Sequence, residues 1–251
     1  MTNTVLEYPS RKLSFTILTS DYLICISKKK KLTVDIIKKY AHRLAYWVSE
    51  PDKGIYDAMN KAIAAATGDY INFMNAGDKF VNETVIAAVV EAIEKNNKPD
   101  ILYGDTIFRY TYGDLKIPGL PIEYLKERIP YCHQSAFVKT NLHKQYPFDT
   151  SYKICADYNF CYQMYFKYHK TIVYADILIA LYEASLGVSS KAIKKSYREK
   201  YRVWNLSNNV FVRCKYELKF LLIYIRFILR SLLPKALVIR IMKYRISKRM
   251  N

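Results

Sequence analysis

Residues 70–78 read Tyr70-Ile71-Asn72-Phe73-Met74-Asn75-Ala76-Gly77-Asp78. The aromatic and aliphatic run predicts a strand over 70–75, and Ala76-Gly77-Asp78 predicts the turn at its C-terminal end. A strand of this kind delivers a carboxylate to a sheet edge. Upstream, 45–50 reads as a strand, Pro51-Asp52-Lys53-Gly54 as a turn, and 55–66 as a helix stopped at Gly68. That helix groups Ile55, Met59 and Ile63 on one side and Asp57, Asn60 and Lys61 on the other. Downstream, Asn82 is a candidate cap for a helix over 83–96 with Val85, Ile86, Val89, Val90 and Ile93 inward, and 100–105 is a strand ending at Asp105. Strand and helix units with acidic strand ends predict an α/β fold with a mostly parallel central sheet, whose ligands bind beyond the carboxyl edge.

The N-terminal part is less regular. Residues 13–19 and 22–26 are both strand-like, and only Ser20 and Asp21 separate them. Parallel neighbours need a crossover of a dozen residues or more, so these runs form a hairpin or one distorted strand. Lys28 to Lys31 read as a solvated turn or a phosphate-binding patch, and a helix follows from Thr33 to about Tyr40. Beyond 106 the pattern predicts a hairpin at Tyr110-Thr111-Tyr112-Gly113, a strand over 131–138, a loop over 147–157 reaching Asp157, a helix over 158–168 and a last strand over 171–182.

The 251 residues, 51% hydrophobic, suffice for a full core, which excludes a disordered chain. The net charge of +18 is unevenly placed: residues 1–190 carry about +3 and residues 191–251, with 17 Lys and Arg against 2 Glu, carry +15. We therefore expect two parts, a nearly neutral folded domain over 1–190 and a basic tail over 191–251 that seeks a polyanion. The five cysteines include no CxxC pair and the four histidines are scattered, which argues against zinc and for reduced thiols in a cytoplasmic protein. No secretion-type start is evident.

The run from Ser49 to Ile63, continued by Ala66-Thr67-Gly68-Asp69-Tyr70 and Phe73-Met74-Asn75-Ala76-Gly77-Asp78, resembles the bacterial family 2 glycosyltransferases. It is most similar to the branch that builds colanic acid and other surface polysaccharides. Weaker similarity continues through Tyr103-Gly104-Asp105, Cys132-His133-Gln134 and Ala156-Asp157-Tyr158. The resemblance implies a GT-A fold and transfer of a sugar, with inversion, from a nucleotide-diphosphate sugar to a saccharide or lipid-linked acceptor in surface polysaccharide biosynthesis. By the same resemblance Asp157 is the catalytic base, and Asp57, Asn60, Lys61, Asp78 and Asp105 bind the donor. Asp78 holds Mg²⁺ or Mn²⁺, and His133 with Gln134 lies on the acceptor side.

Relatives carry a helix after the first strand and an acidic, glycine-rich run after the second. Here the first helix is missing and Ser27 to Thr33 stands where that run belongs. This makes a catalytically impaired or inactive family remnant, or an interaction protein, the second reading. In the tail, a helix over about 211–233 lines up Lys215, Lys219, Arg226 and Arg230 beside an apolar arc, and a second amphipathic stretch follows Pro234. No apolar run reaches the length of a spanning helix. The tail therefore predicts peripheral attachment to an anionic membrane surface, on the cytosolic face of the inner membrane. A basic nucleic-acid-binding protein is the third reading, disfavoured by the tail's Leu and Ile content.

Overall fold

The computed structural model describes residues 13–17, 22–26, 31–110, 113–184 and 193–206, with twelve positions between 210 and 240. Lys28, Lys29 and Lys30, and in the tail Lys219, Arg226 and Arg230, lie outside the described residues. The chain divides into two units, Met1–Ser196 and Tyr197–Asn251.

The first unit opens with β1 (Leu13–Ile17), β2 (Tyr22–Ile26), α1 (Lys31–Tyr40) and β3 (Tyr46–Ser49). Then come α2 (Ile55–Ala65), β4 (Tyr70–Asn75), β5 (Lys79–Phe80), α3 (Val85–Lys95) and β6 (Ile101–Tyr110). It continues with β7 (Gly113–Ile117), β8 (Ala136–Lys139), α4 (Thr140–Gln145), α5 (Ala156–Phe166) and β9 (Ile172–Glu183), and α6 (Ile193–Val203) follows. The nine strands form a sheet of order β3-β2-β1-β4-β8-β6-β9-β5, with β7 beside β6.

This sheet is not mostly parallel, contrary to the expectation from the strand and helix pattern. Only β2–β3 and β6–β9 pair parallel. The other six pairings are antiparallel. The reason lies in two insertions. Four residues between β1 and β2 cannot make a crossover, so the chain turns back and β1 runs against both β2 and β4. β8 likewise enters against β4 and β6. The strands β2, β3, β4, β6 and β9 still share one direction, so their C-terminal ends meet at one edge.

Helical periodicity placed α2 and α3 well, and packing refined their faces. Met59 and Ile63 are buried as expected, but Ile55 is exposed and Tyr56 takes the inward place beside it. On α3, Val85, Val89 and Ile93 join Met74, Leu102, Phe137 and Ile179 in the main core, while Val90 faces out. Asn82 accepts from Thr84 N and Oγ1 and so shapes the turn before α3. The helix expected at 158 starts at Ala156, which puts Asp157 in its first turn. α4 had no distinct sequence signal.

A buried amide and a close backbone approach shape the core beside the edge. Asn72 is fully buried in β4, and its Nδ2 donates to Gln134 O and Ala136 O, both at 2.9 Å. A buried amide is retained where it meets partners, and here it pins the 3-10 turn His133–Ser135 against β4. Gly104 sits where β6 slips register against β9; a Cβ there would run into Ile177 O and the Ile179 side chain.

Candidate active site

The turn after β4 is closed by its own carboxylate. Asp78 N donates to Asn75 O at 3.0 Å, Asn75 N donates to Asp78 Oδ2 at 3.2 Å, and Gly77 takes φ 96° between them. The same carboxylate reaches two other elements. Gln134 Nε2 donates to Asp78 Oδ2 at 2.6 Å, and Glu183 N, at the end of β9, donates to Asp78 Oδ1 at 2.9 Å. Burial pushes the Asp78 carboxyl up to about 6, against the pull of those hydrogen bonds. Asp78 therefore joins the ends of β4 and β9 to the turn before β8.

Asp157 stands at the start of α5, where a negative side chain suits the helix N-terminus. Its Oδ1 accepts from Tyr158 N at 2.8 Å and from Tyr56 OH at 3.0 Å. Burial raises the Tyr56 phenol well above its usual value, and Asp157 adds to this.

Cys132 feels both acids. Its Sγ donates to Gln134 Oε1 at 2.9 Å, and burial pushes the thiol up to about 12, with Asp78 and Asp157 both adding to the rise. The turn after it links the two acids through contacts: Gln134 bonds Asp78, and the His133 ring meets Phe148, whose ring meets Tyr56, the partner of Asp157. His133, stacked on Phe73 with centroids 5.2 Å apart, also feels Asp157, although burial lowers its pKa overall. Its Nε2 is buried without a partner among the described residues. Gln134, expected on the acceptor side, is buried and bonds Asp78.

The other expected donor contacts lie in internal bonds. Asp105, 1% exposed, accepts from Gly119 N and Tyr174 OH, both at 2.9 Å, and pairs with Lys116 Nζ at 2.8 Å. It anchors the hairpin of β6 and β7 and the segment after it. Asp57 Oδ2 accepts from Lys53 N at 2.9 Å. Lys61 pairs with Glu50 at 2.7 Å and donates to Pro51 O at 2.9 Å, and Glu50 holds its ammonium in the charged form. Asn60 bonds to both backbone groups of Phe148. Sequence reasoning did not single out Tyr56, Cys132, Lys116 or Tyr174 as site residues. Tyr56 was visible inside the quoted motif, whereas Tyr174 meets Asp105 across 69 positions and left no local signal.

The residues around Asp78 fit a divalent ion with a small protein share. Asn75 Oδ1 is buried with no partner among the described residues, and the Asp78 carboxylate lies at the other end of the same turn. Among the described residues no group of three His, Cys, Asp or Glu could hold a metal. Mg²⁺ commonly takes only one or two protein oxygens and fills its shell with phosphate and water. A cavity of about 480 Å³ lies at the opposite end of β4, beside Tyr70, Val89 and Phe137, and none of the site residues lines it.

Residues 14–160 match the family described as glycosyl transferase family 2. A PGL/p-HBAD biosynthesis glycosyltransferase of Mycobacterium bovis is 27% identical over 170 residues, 66% of each chain. An uncharacterized glycosyltransferase of Mycobacterium tuberculosis is 35% identical over 120 residues, 46% of each chain. The match thus spans just under two thirds of the first relative's length and less than half of the second's. Among solved structures, Staphylococcus aureus TarS 1–349 in complex with UDP superposes with a TM-score of 0.50 at 18% identity, covering 64% of this chain and 50% of that one. The same TarS fragment with UDP-GlcNAc gives 0.50 at 17% identity, covering 64% and 48%. These two likenesses concern the fold.

Proposed function

The chain belongs to glycosyl transferase family 2, and from that premise we propose that it moves a sugar from a nucleotide-diphosphate donor to a saccharide or lipid-linked acceptor, with inversion, in the assembly of a surface polysaccharide or glycolipid. The observation that carries this reading is that the turn His133–Gln134 bonds Asp78, at the edge where β4 and β9 end, and reaches Asp157 through the Phe148 ring and Tyr56. Two carboxylates with different surroundings can take different tasks. Asp157 Oδ2 takes the proton from the acceptor hydroxyl as that oxygen bonds to the anomeric carbon. The bond from that carbon to the donor's phosphate oxygen breaks on the opposite face, and its electron pair leaves with the nucleoside diphosphate. Mg²⁺ or Mn²⁺ bound by Asp78 and Asn75 Oδ1 would supply positive charge for the departing diphosphate. Gln134 and Glu183 N keep Asp78 turned to that edge.

The test is release of nucleoside diphosphate from a panel of UDP-, GDP- and dTDP-sugars, UDP-GlcNAc among them, with Mg²⁺ or Mn²⁺ and a lipid or saccharide acceptor. Asp157→Asn should lower turnover about 10²-fold or more. Asp78→Asn should lower it more than it lowers stability. Turnover unchanged by both substitutions would refute both roles. The return of β1 directly into β2 favours the second reading, a member of the family with impaired donor binding. That reading predicts no turnover with any donor in the panel.

The tail fits peripheral membrane attachment on the cytosolic side. Phe211, Leu218, Leu221, Leu222, Ile225 and Ile228 are helical and exposed. At 100° per residue they cover an arc of about 120°. This apolar arc in a segment of charge +15 suits the boundary of an anionic bilayer. No helix among the described residues is long and apolar enough to cross a membrane.

A further inference from the structure

α2 turns two of its polar side chains toward the segment that carries Asp157. Asn60 Nδ2 donates to Phe148 O at 2.8 Å, while Asn60 Oδ1 accepts from Phe148 N at 2.9 Å. Both ends of the carboxamide thus pair with one residue's backbone, in the manner of a strand neighbour. One helical turn earlier, on the same face, Tyr56 OH lies 2.7 Å from Ile154 O and 3.0 Å from Asp157 Oδ1. The Tyr56 and Phe148 rings meet between these contacts, with centroids 5.2 Å apart. The segment 148–157 is therefore gripped near both of its ends by α2.

The phenol has one proton and two acceptors in reach. When Asp157 is ionised, that proton serves the carboxylate and the carbonyl in turn. When Asp157 holds a proton on Oδ1, the phenol can donate to Ile154 O and accept from the acid. The hydroxyl is matched to both protonation states.

We infer that Tyr56 and Asn60 are positioning residues for the base-bearing segment, acting through Asp157 and not by contact with the donor. The inference rests on the reading of Asp157 as the base. It differs from the donor role that the family resemblance gave Asn60, because the hydrogen bonds of that carboxamide are made to Phe148. With Tyr56 and Tyr158 N both directed at Oδ1, Oδ2 is the oxygen aimed at an acceptor. The titratable groups that feel Asp157 are Tyr56 on α2, Tyr131, Cys132 and His133 ahead of β8, and Cys161 on α5.

The test has two arms, both on the full chain. In the first, tyrosine labelled with ¹³C at Cζ is recorded at pH 7.5, and the Tyr56 signal is identified by its loss in Tyr56→Phe. The signal should move in Asp157→Asn, which changes the partner of the hydroxyl, and keep its place in Asp78→Asn. A Tyr56 signal that Asp157→Asn leaves in place overturns the inference.

The second arm uses UDP-GlcNAc and the panel above. Tyr56→Phe and Asn60→Ala should lower kcat about tenfold or more and leave the donor KM within about twofold. A donor KM raised tenfold with kcat intact would make them donor contacts after all. Absence of wild-type turnover beside a Tyr56 signal that moves in Asp157→Asn would refute the transferase reading while upholding the grip on Asp157.

Discussion

Gln134 Nε2 lies 2.6 Å from Asp78 Oδ2, so a residue of the turn before β8 is the direct partner of the carboxylate that closes β4. Gln134 also accepts from Cys132 Sγ, which links this bond to a thiol whose pKa both Asp78 and Asp157 raise. An amide so placed holds the acid in one orientation and screens its burial. Gln134→Leu removes both the donor and the acceptor. A hydrogen bond to a charged group is worth about 1.5–3 kcal/mol, and the variant should lose about that much stability at pH 7.5 in urea denaturation. A loss below about 0.5 kcal/mol would mean that Asp78 finds another donor.

Gly104 is the second point of leverage. A methyl group there meets a backbone carbonyl, Ile177 O, which cannot swing aside as a side chain can. Gly104→Ala should push β6 from β9 at the register slip next to Asp105 and cost about 2 kcal/mol or more. Thermal melting compared with a Gly113→Ala control separates this close approach from the strain of a positive φ, since a Cβ at Gly113 meets nothing within 4 Å.

His143 sets the acid limit of stability. Its ring is 1% exposed, stacks on Phe160 at 4.3 Å, and has neither nitrogen partnered among the described residues. Burial pushes its pKa down to about 3, and His133 adds to the fall. The unfolded chain takes up a proton near pH 6.5 while the fold resists until far lower. The contribution of His143 is thus full above about pH 6.5 and falls as the pH drops toward about 3, by several kcal/mol at most, while Asp78, raised to about 6, acts in the opposite sense as the pH falls below about 6. His143→Phe should flatten this slope in denaturation curves recorded from pH 7 to 4; an unchanged slope would show that other groups set it.

Full-length protein should co-sediment with vesicles containing anionic lipid more strongly than with neutral ones. Leu221→Asp together with Ile225→Asp, both at exposed positions, should leave the fold intact and weaken that binding at least tenfold. Equal binding to neutral and anionic vesicles would remove the electrostatic part of the proposal. Binding unchanged by the two aspartates would remove the apolar part.

Much of the chain was legible without coordinates because the signals are local. The strand 70–75, the helix behind Gly54, the start of the strand that carries Asp105 and the positive tail all follow from periodicity, turn residues and charge counts within a few positions, although that strand runs past Asp105 to Tyr110. The family was legible for the same reason, since the run from Ser49 to Asp78 keeps its spacing. Strand direction was not legible in general. The connection between β1 and β2 excluded a parallel pair, yet only tertiary pairing showed β1 inserted against β4 and β8 inserted against β6. The roles of single polar groups depended most on the fold: Asn60 meets Phe148 across 88 positions, Tyr56 meets Asp157 across 101, and Glu183 meets Asp78 across 105. The sequence by itself determined which residues could carry charge and donate hydrogen bonds. Whether those groups face a ligand or one another was decided by burial, because a polar group taken out of water must find its partner wherever the packed chain supplies one.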